Sequence, residues 1–508
     1  MDAATNVGRA PNEALLAAHP LIIAANRGPV EFTRHDDGTF THKRGSGGVV
    51  TAMSALGRYV DPIWVASAMT EGDRAQAVVV GGEPVIVEDA GEPSLKLHFA
   101  TVPPETYNLA YNEISNTVLW FLQHYLWDAA HEPDIDPQVW RAWDIGYTVL
   151  NHTFANTIVR AAELANSDRP IVMLQDYHLY LAAGTVRERL PHALIQQFIH
   201  IPWPDKDYWR FLPARMRREI CHGLMANDIV GFQTEDHCHN FIHTCVDSIP
   251  GAHGDHERMC IRHEGRTTQV RAYPISLDVE AVRRTAAGAA VAEYTDVLQD
   301  YLGEQTIVRV DRAEPSKNVL RGFKAFDLFL DRYPEWHGRV RFLSLLVPSR
   351  LAVPRYQKYL DDIYAIMGRI NTKHGTETWR PVRLLVGESY ERALAALTLY
   401  DALLVNSLAD GMNLVAKEGA LLNERGGVLI LSETAGAHAQ LGPHALTITP
   451  CDIASTADAL HFALTMPTEE RFRRAAALRE SVEQSDIVRW ITDQLDDIAR
   501  IEGALPHP

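Results

Sequence analysis

The chain is short of cysteine. Cys221, Cys238, Cys245, Cys260 and Cys451 are odd in number and include no Cys-x-x-Cys pair. That argues against a disulfide framework and suits free thiols in a reducing compartment. A basic excess is also missing. The formal charge is -17, which excludes a general nucleic-acid binder but leaves room for a local basic pocket. No apolar run reaches the length of a membrane span, and no basic segment followed by an apolar core opens the chain. The expectation is therefore a cytoplasmic protein with no membrane and no nucleic-acid partner. Internal repeats and low-complexity linkers are absent too. What remains is ordinary globular composition, with 46% apolar and 22% charged residues. A length of 508 residues is too great for one core, so two large domains are expected.

The most informative stretch is 406–418, Asn-Ser-Leu-Ala-Asp-Gly-Met-Asn-Leu-Val-Ala-Lys-Glu. The apolar run before it, Leu399 to Val405, suits a buried strand. Asp410-Gly411 signals a turn, and Asn413 can cap a helix starting near Leu414. A strand, a glycine loop and a helix N-terminus in that order make an anion site, because unpaired amides and the helix dipole face the loop. Open α/β sheets bind ligands at that edge.

Earlier in the chain, residues 1–19 read as a loose arm. Residues 21–25 form a short buried strand ending in Asn26-Arg27-Gly28-Pro29. A hairpin signal follows over 30–43, and then Arg44-Gly45-Ser46-Gly47-Gly48 opens a helix at about Val49–Tyr59. Strand-like runs recur at 62–67, 78–80, 84–87 and 95–101. A helical stretch over roughly 107–125 puts Tyr111, Ser115 and Trp120 near one face. Residues 136–166 make a longer helix. The strands at 170–175 and 193–200 end in Asp176-Tyr177-His178 and in His200-Ile201-Pro202-Trp203-Pro204. Alternation with helices at 178–189, 211–225 and 235–247 is the signature of a parallel sheet, and it puts Asp176 and His200 on one edge. His237, Cys238, His239 and His243 invite a metal reading. No further ligand shows zinc-type spacing, so the expectation is a structural helix and no metal.

The domain boundary is placed near 278. A strand at 305–310 then leads into Asp311-Arg312-Ala313-Glu314-Pro315-Ser316-Lys317-Asn318. Two cations at a strand-to-helix turn suit a diphosphate, Arg312 as a bidentate donor and Lys317 as a point charge. Strands at 340–346, 382–386, 427–432 and 445–448 and helices at 319–333, 356–374 and 391–400 complete the alternation. The last helix, about 484–501, carries Ile487, Trp490, Ile491, Leu495 and Ile498 on one apolar face that needs a partner. Polar residues at strand ends in both halves suit an enzyme holding a nucleotide and an acceptor. A two-domain protein that only closes on a ligand is the other class, and the paired cations favour phosphorylated ligands.

These motifs resemble the trehalose-6-phosphate synthase family over about residues 20–500. The residues that carry the likeness are Asn26-Arg27, Gly47-Gly48, Tyr111 to Trp120, Asp176-Tyr177-His178, His200 to Pro204, Arg312 with Lys317, and Asp410 to Glu418. The resemblance implies a GT-B fold, two Rossmann-like domains facing a central cleft, with the last helix crossing back to the N-terminal domain. The boundaries it suggests are 1–19 for the arm, 20–278 for the acceptor domain, 279–483 for the nucleotide-sugar domain and 484–508 for the crossover helix and tail. The implied activity is retaining transfer of glucose from GDP- or UDP-glucose to glucose 6-phosphate. Arg27, Tyr111, Trp120, Asp176 and Arg350 would hold the acceptor. Gly48, His200, Arg312, Lys317, Asp410, Gly411, Met412, Asn413, Leu414, Val415 and Glu418 would hold the donor, with Arg312, Lys317, Asp410 and His200 nearest the chemistry. No cofactor and no metal are implied, because the two cations would replace one. A homo-oligomer is compatible with the family. The Asn26-to-Pro29 and glycine pattern is similar to actinobacterial synthases and points to GDP over UDP.

One loop departs from the family pattern, Arg-Leu-Asp-Tyr-x-Lys-Gly. The form found here, Arg312-Ala-Glu-Pro-Ser-Lys317-Asn318, is similar to the pseudo-glycosyltransferase validoxylamine 7'-phosphate synthase. That cyclitol-coupling activity is the alternative, with glucosylglycerol-phosphate synthase behind it. A non-catalytic regulatory homologue should have lost Arg312, Lys317, Asp410 or Glu418, and none is lost.

Overall fold

The computed structural model describes residues 12–45, 61–88 and 94–504. The chain divides into two compact units. One takes the chain to Pro274 and again from Ile487; the other is Ile275–Asp486.

In the first unit, apolar runs bounded by turn residues give the strands Leu21–Ala25, Ile63–Ser67, Leu95–Ala100, Ile171–Gln175, Leu194–Phe198, Ile229–Phe232 and Arg266–Ala272. They pair in parallel. Antiparallel strands at both edges bring the sheet to ten strands among the described residues. Leu21–Ala25, Ile171–Gln175 and Leu194–Phe198 are buried along their whole length, as strands covered on both faces should be. Leu21–Ala25 lies between Ile63–Ser67 and Ile171–Gln175. From it the chain builds the sheet first one way and then the other. Such a reversal opens a crevice at the carboxyl ends of the two central strands. Asn26-Arg27 and Asp176 leave the sheet at that point.

The final helix, Ile487–Ala504, belongs to this first unit. Its apolar positions Ile487, Trp490, Ile491, Leu495 and Ile498 are buried, so the partner surface demanded by the pattern is the first sheet. Trp490 Nε1 donates to the Tyr273 carbonyl at 3.1 Å, and its ring meets Phe198 edge-on. Gln196 Nε2 donates to Gln494 Oε1 at 2.6 Å, which ties the helix to the strand Leu194–Phe198.

The second unit has six parallel strands. Their spatial order is Val382–Val386, Val340–Val347, Gln305–Arg312, Ala402–Val405, Val428–Ser432, Leu446–Ile448. That is the 3-2-1-4-5-6 order of a dinucleotide-binding sheet. The reversal falls between Gln305–Arg312 and Ala402–Val405. Helix Val319–Arg332 buries Phe323, Phe326 and Phe329 against the sheet, where Phe323 and Phe326 meet Phe342 edge-on.

Several local expectations are corrected. Val78-Val79-Val80 is not a strand but the end of the helix Glu71–Val80. Thr70 and Asp73 form a capping box at its start, and Gly81 ends it at φ 60°. Those caps outweigh the β preference of three valines whose side chains pack on little. Glu13–Ala18, expected as loose arm, is a helix that buries Leu15 and Leu16. The strand Ile229–Phe232, the hairpin after His253 and the helices Ala289–Gln299, Ile453–Thr465 and Thr468–Glu483 carried no recognised signal. The helix expected at 49–59 and the glycines Gly47 and Gly48 lie outside the described residues.

Candidate active site

At the second unit's reversal two loops meet. Arg312 ends the strand Gln305–Arg312, and Lys317 closes the short turn Pro315–Lys317. On the other side, Asp410 sends Oδ2 to Lys317 Nζ at 2.5 Å, and both side chains are largely buried. The same oxygen accepts from Ser407 Oγ at 3.2 Å and Asn413 Nδ2 at 3.0 Å. Asn413 also caps the helix Leu414–Leu422, its Oδ1 accepting from the Ala416 amide at 2.9 Å. The expected cap is therefore present, and it joins Lys317, Asp410 and the helix start in one network. Leu414 and Val415 contribute amides of the first turn, for which the helix itself offers no acceptor. Gly411 and Met412 are buried beneath this turn. Gly436 passes so close that a Cβ there would lie 1.9 Å from the Gly411 carbonyl oxygen, so only glycine fits.

Lys317 carries three ammonium protons, and Asp410 takes one of them, so others remain for an incoming anion. Glu418 lies one turn into the helix. Its Oε1 accepts from Tyr390 Oη at 3.0 Å, and burial raises its carboxyl to about 7. Lys417 points elsewhere. It is wholly buried, donates to the Ile275 carbonyl at 2.7 Å, and burial lowers its ammonium to about 7.

Arg309 was not singled out by the sequence. It is fully buried and ties the two loops together, donating from Nη2 to the Lys317 carbonyl at 2.6 Å and to Asn406 Oδ1 at 2.5 Å. Its Nε donates to Asp311 Oδ2 at 2.8 Å. The available signal was an arginine inside the apolar run Ile307-Val308-Arg309-Val310. Arg350, expected with the sugar-phosphate set, lies in this unit, its Nη1 3.2 Å from Glu314 Oε1. Arg312 Nη1 is 3.0 Å from the same oxygen.

At the first unit's reversal, Asn26 is pinned by Tyr107 Oη at 3.1 Å and Ser67 Oγ at 2.9 Å, and Arg27 beside it is exposed. Tyr107, Tyr111 and His178 form a ladder of stacked rings, with centroids 5.4 and 5.7 Å apart. Tyr111 sits on a stretch wound wider than an α-helix, Leu109–Leu119, in which Ser115 Oγ donates five residues back to the Ala110 carbonyl. Trp120 is buried and packs on His124 and Tyr177. Asp176 Oδ1 accepts from the His200 amide at 3.2 Å, so two strand ends are joined as their register implies. His200 Nε2 is 3.0 Å from Gln175 Oε1, and burial holds the imidazole down at about 3, hence neutral.

Backbone strain collects in these loops. Among the described residues, eight non-glycine residues have positive φ, and Asp176 (71°), Asn318 (58°), Arg350 (48°) and Asn413 (122°) are four of them. Each such conformation costs roughly 1–3 kcal/mol and persists where surrounding structure imposes it.

The histidine cluster packs on itself. His239 Nδ1 lies 2.8 Å from His256 Nδ1, and the His243 ring is 4.4 Å from that of His256. Burial holds the His237 imidazole down at about 4, and Cys238 is buried. Among the described residues, Asp327, Asp331 and His374 also converge. There Lys373 Nζ already sits 3.0 and 2.6 Å from the two carboxylates. No helix of the described residues is long and apolar enough to cross a membrane.

Comparison with known proteins finds close relatives over nearly the whole chain. The model of glycosyltransferase family 20 matches residues 19–500. The UDP-forming alpha,alpha-trehalose-phosphate synthase of Schizosaccharomyces pombe is 31% identical over 96% of this chain and 92% of its own. A validamine 7-phosphate valienyltransferase of Streptomyces hygroscopicus subsp. jinggangensis is 29% identical over 91% of this chain and 89% of its own. The crystal structure of a UDP-forming alpha,alpha-trehalose-phosphate synthase from Burkholderia vietnamiensis matches with a TM-score of 0.79 and 28% identity, covering 96% of this chain and 100% of that one. The fold shared with such neighbours is GT-B.

Proposed function

This chain belongs to glycosyltransferase family 20, and from that premise we propose that it moves glucose from a nucleoside-diphosphate glucose to glucose 6-phosphate with retention, giving trehalose 6-phosphate. The observation that supports it most is the network of Lys317, Asp410 and the Asn413-capped helix beside Arg312. A diphosphate would take up the remaining Lys317 protons, the first-turn amides at Leu414 and Val415, and the half-exposed Arg312 guanidinium.

In the reaction, the bond from the anomeric carbon to the diphosphate oxygen breaks and a bond to the acceptor hydroxyl oxygen forms on the same face. The hydroxyl proton goes to the departing phosphate oxygen, and the nucleoside diphosphate leaves. No protein base is needed in this path. Arg312 and Lys317 stabilise the negative charge as it grows on the leaving group, and the loops supply position. Asp410 and the neutral His200 would take hydroxyls of the donor glucose, and Glu418 those of the ribose. Arg27, Tyr111 and Asp176 would bind the acceptor sugar and its phosphate, with Arg350 as a second cation for that phosphate and Trp120 backing Tyr177. Gly48 is assigned to the donor by resemblance alone.

The second reading, cyclitol coupling, is favoured by the Arg312-to-Asn318 loop and by the valienyltransferase relative. The deciding experiment offers glucose 6-phosphate with UDP-, GDP- and ADP-glucose and reads the product by mass spectrometry. Trehalose 6-phosphate from one donor establishes both reaction and base, UDP being the one named for the fission-yeast relative and GDP the one favoured by the N-terminal pattern. A folded protein that binds nucleotide yet gives no product from any donor would sink the synthase reading. Activity should survive a chelator, and its loss there would reopen the question of a metal.

A further inference from the structure

The departed loop contains a carboxylate with an unusual place. Glu314 has a wholly buried side chain. Its Oε1 faces three groups at once: Arg312 Nη1 at 3.0 Å, Arg350 Nη1 at 3.2 Å and Ser349 Oγ at 2.7 Å. Burial alone would raise this carboxyl, but Arg312 and Arg350 outweigh it and hold it below the ordinary range. A buried carboxylate is costly unless paired and hydrogen-bonded, and here two guanidiniums share the task. Its backbone is fixed as well. The Glu314 amide donates to the Arg312 carbonyl at 2.8 Å, and the Lys317 amide donates to the Glu314 carbonyl at 3.0 Å.

The two arginines come from different strand ends, Gln305–Arg312 and Val340–Val347. They differ in exposure. Arg312 is half-exposed, whereas Arg350 is mostly buried, donates to Tyr356 Oη at 2.9 Å and lies over that ring. A guanidinium has five N–H donors in a rigid planar fork, so a contact at one nitrogen restricts where the others can point. One buried oxygen is therefore shared by both forks and ties the position of one to that of the other.

We propose that Glu314 is a positioning residue that couples the two substrate phosphate sites, aiming Arg312 at the donor diphosphate and Arg350 at the acceptor phosphate without touching either substrate. This rests on the synthase reading and adds to it a link between sites assigned to different substrates. A group that only stabilised the fold would leave both Michaelis constants alone. A coupler makes each arginine matter to the other's ligand, since coupling between sites is reciprocal.

The test uses the full-length enzyme and four variants, with Asp327→Asn in the surface ion-pair cluster as a stability control. Glu314→Gln should raise the KM for both glucose 6-phosphate and the nucleotide sugar by about fivefold or more and lower kcat. Glu314→Asp, which keeps the charge, should recover much of that loss. Binding is read separately by calorimetry with UDP, GDP and glucose 6-phosphate. Arg312→Ala should weaken glucose 6-phosphate binding, and Arg350→Ala should weaken nucleotide binding, each by about fivefold. These cross-effects decide the matter even if Glu314→Gln fails to fold. An active wild type whose cross-effects are absent overturns the coupling and leaves the synthase reading standing. A wild type that neither binds glucose 6-phosphate nor forms product overturns both.

Discussion

The two chain reversals share a topology and differ in chemistry. In the first unit the crevice carries the Tyr107–Tyr111–His178 ladder, an imidazole kept uncharged by burial, the Asp176 carboxylate and the exposed cation Arg27. In the second unit Lys317, Arg312 and Arg350 are each matched to a buried carboxylate, Asp410 or Glu314. The contrast teaches that one topology can present different chemistry at its reversal, depending on what the strand ends carry. Rings stack on sugars and order them. Cations held by internal counterions are already aimed when the anion arrives, so little reorganisation is needed at the moment of reaction.

The sharpest way to break this contrast is to remove a cation from the second unit. Lys317→Ala should lower kcat by about 10²–10³-fold, the usual loss when one charge-stabilising group goes. It should remain folded by circular dichroism. A near-normal rate would take Lys317 out of the diphosphate site. Next in size is Arg27, exposed at the first unit's reversal. Arg27→Ala should raise the KM for glucose 6-phosphate about 10- to 100-fold, the worth of a hydrogen bond between charged groups. The donor KM should stay put, and an equal rise in both would take Arg27 out of the acceptor site.

A pH measurement sharpens the comparison. With Glu418 raised to about 7, its ionised form, the one able to accept from both ribose hydroxyls, is lost as pH falls through 7. Affinity for the nucleotide sugar should then fall toward about tenfold per pH unit below 7. Glu418→Gln should flatten that slope, and a wild-type profile flat from pH 5 to 8 would contradict the role. His200 titrates far lower, near 3, so it should contribute no step in that range. Its stability effect has the opposite reach. The unfolded imidazole takes a proton below about 6.5 while the folded one resists. Stability from this group therefore declines as pH drops from there toward 3.

The smallest expected effect concerns the departed loop. Asn318 stands where the family pattern has glycine, and it holds φ 58°. Asparagine tolerates that left-handed region better than other side chains, so the departure keeps the backbone. Its Nδ2 also donates to the Asn406 carbonyl at 3.0 Å and the Pro450 carbonyl at 2.7 Å. Asn318→Gly should cost about 1 kcal/mol for the lost bonds, and Asn318→Ala about 1 kcal/mol more for the strained backbone. Equal melting temperatures for the two variants would contradict that account.

How much of this was written in the sequence depends on how local the cause is. The strands at 21–25, 171–175 and 382–386, the Asn413 cap and the final amphipathic helix are local patterns of apolar period and turn chemistry. Each was legible without a partner. The valines at 78–80 misled because their β preference is weak beside caps at Thr70 and Gly81. Arg309 and Glu314 passed as ordinary charges, since a residue's number does not state whether its side chain ends in solvent or under a neighbouring loop. The strand order needed the folded chain as well. Nothing in 305–312 or 402–405 alone says that these strands pair across the intervening residues 313–401, yet that pairing makes the crevice. The sequence by itself determined the elements, the helix starts and the set of reactive groups, because those follow from neighbours in the chain. Tertiary structure alone decided which carboxylate neutralises which cation, because burial and counterion choice are properties of distant segments brought into contact.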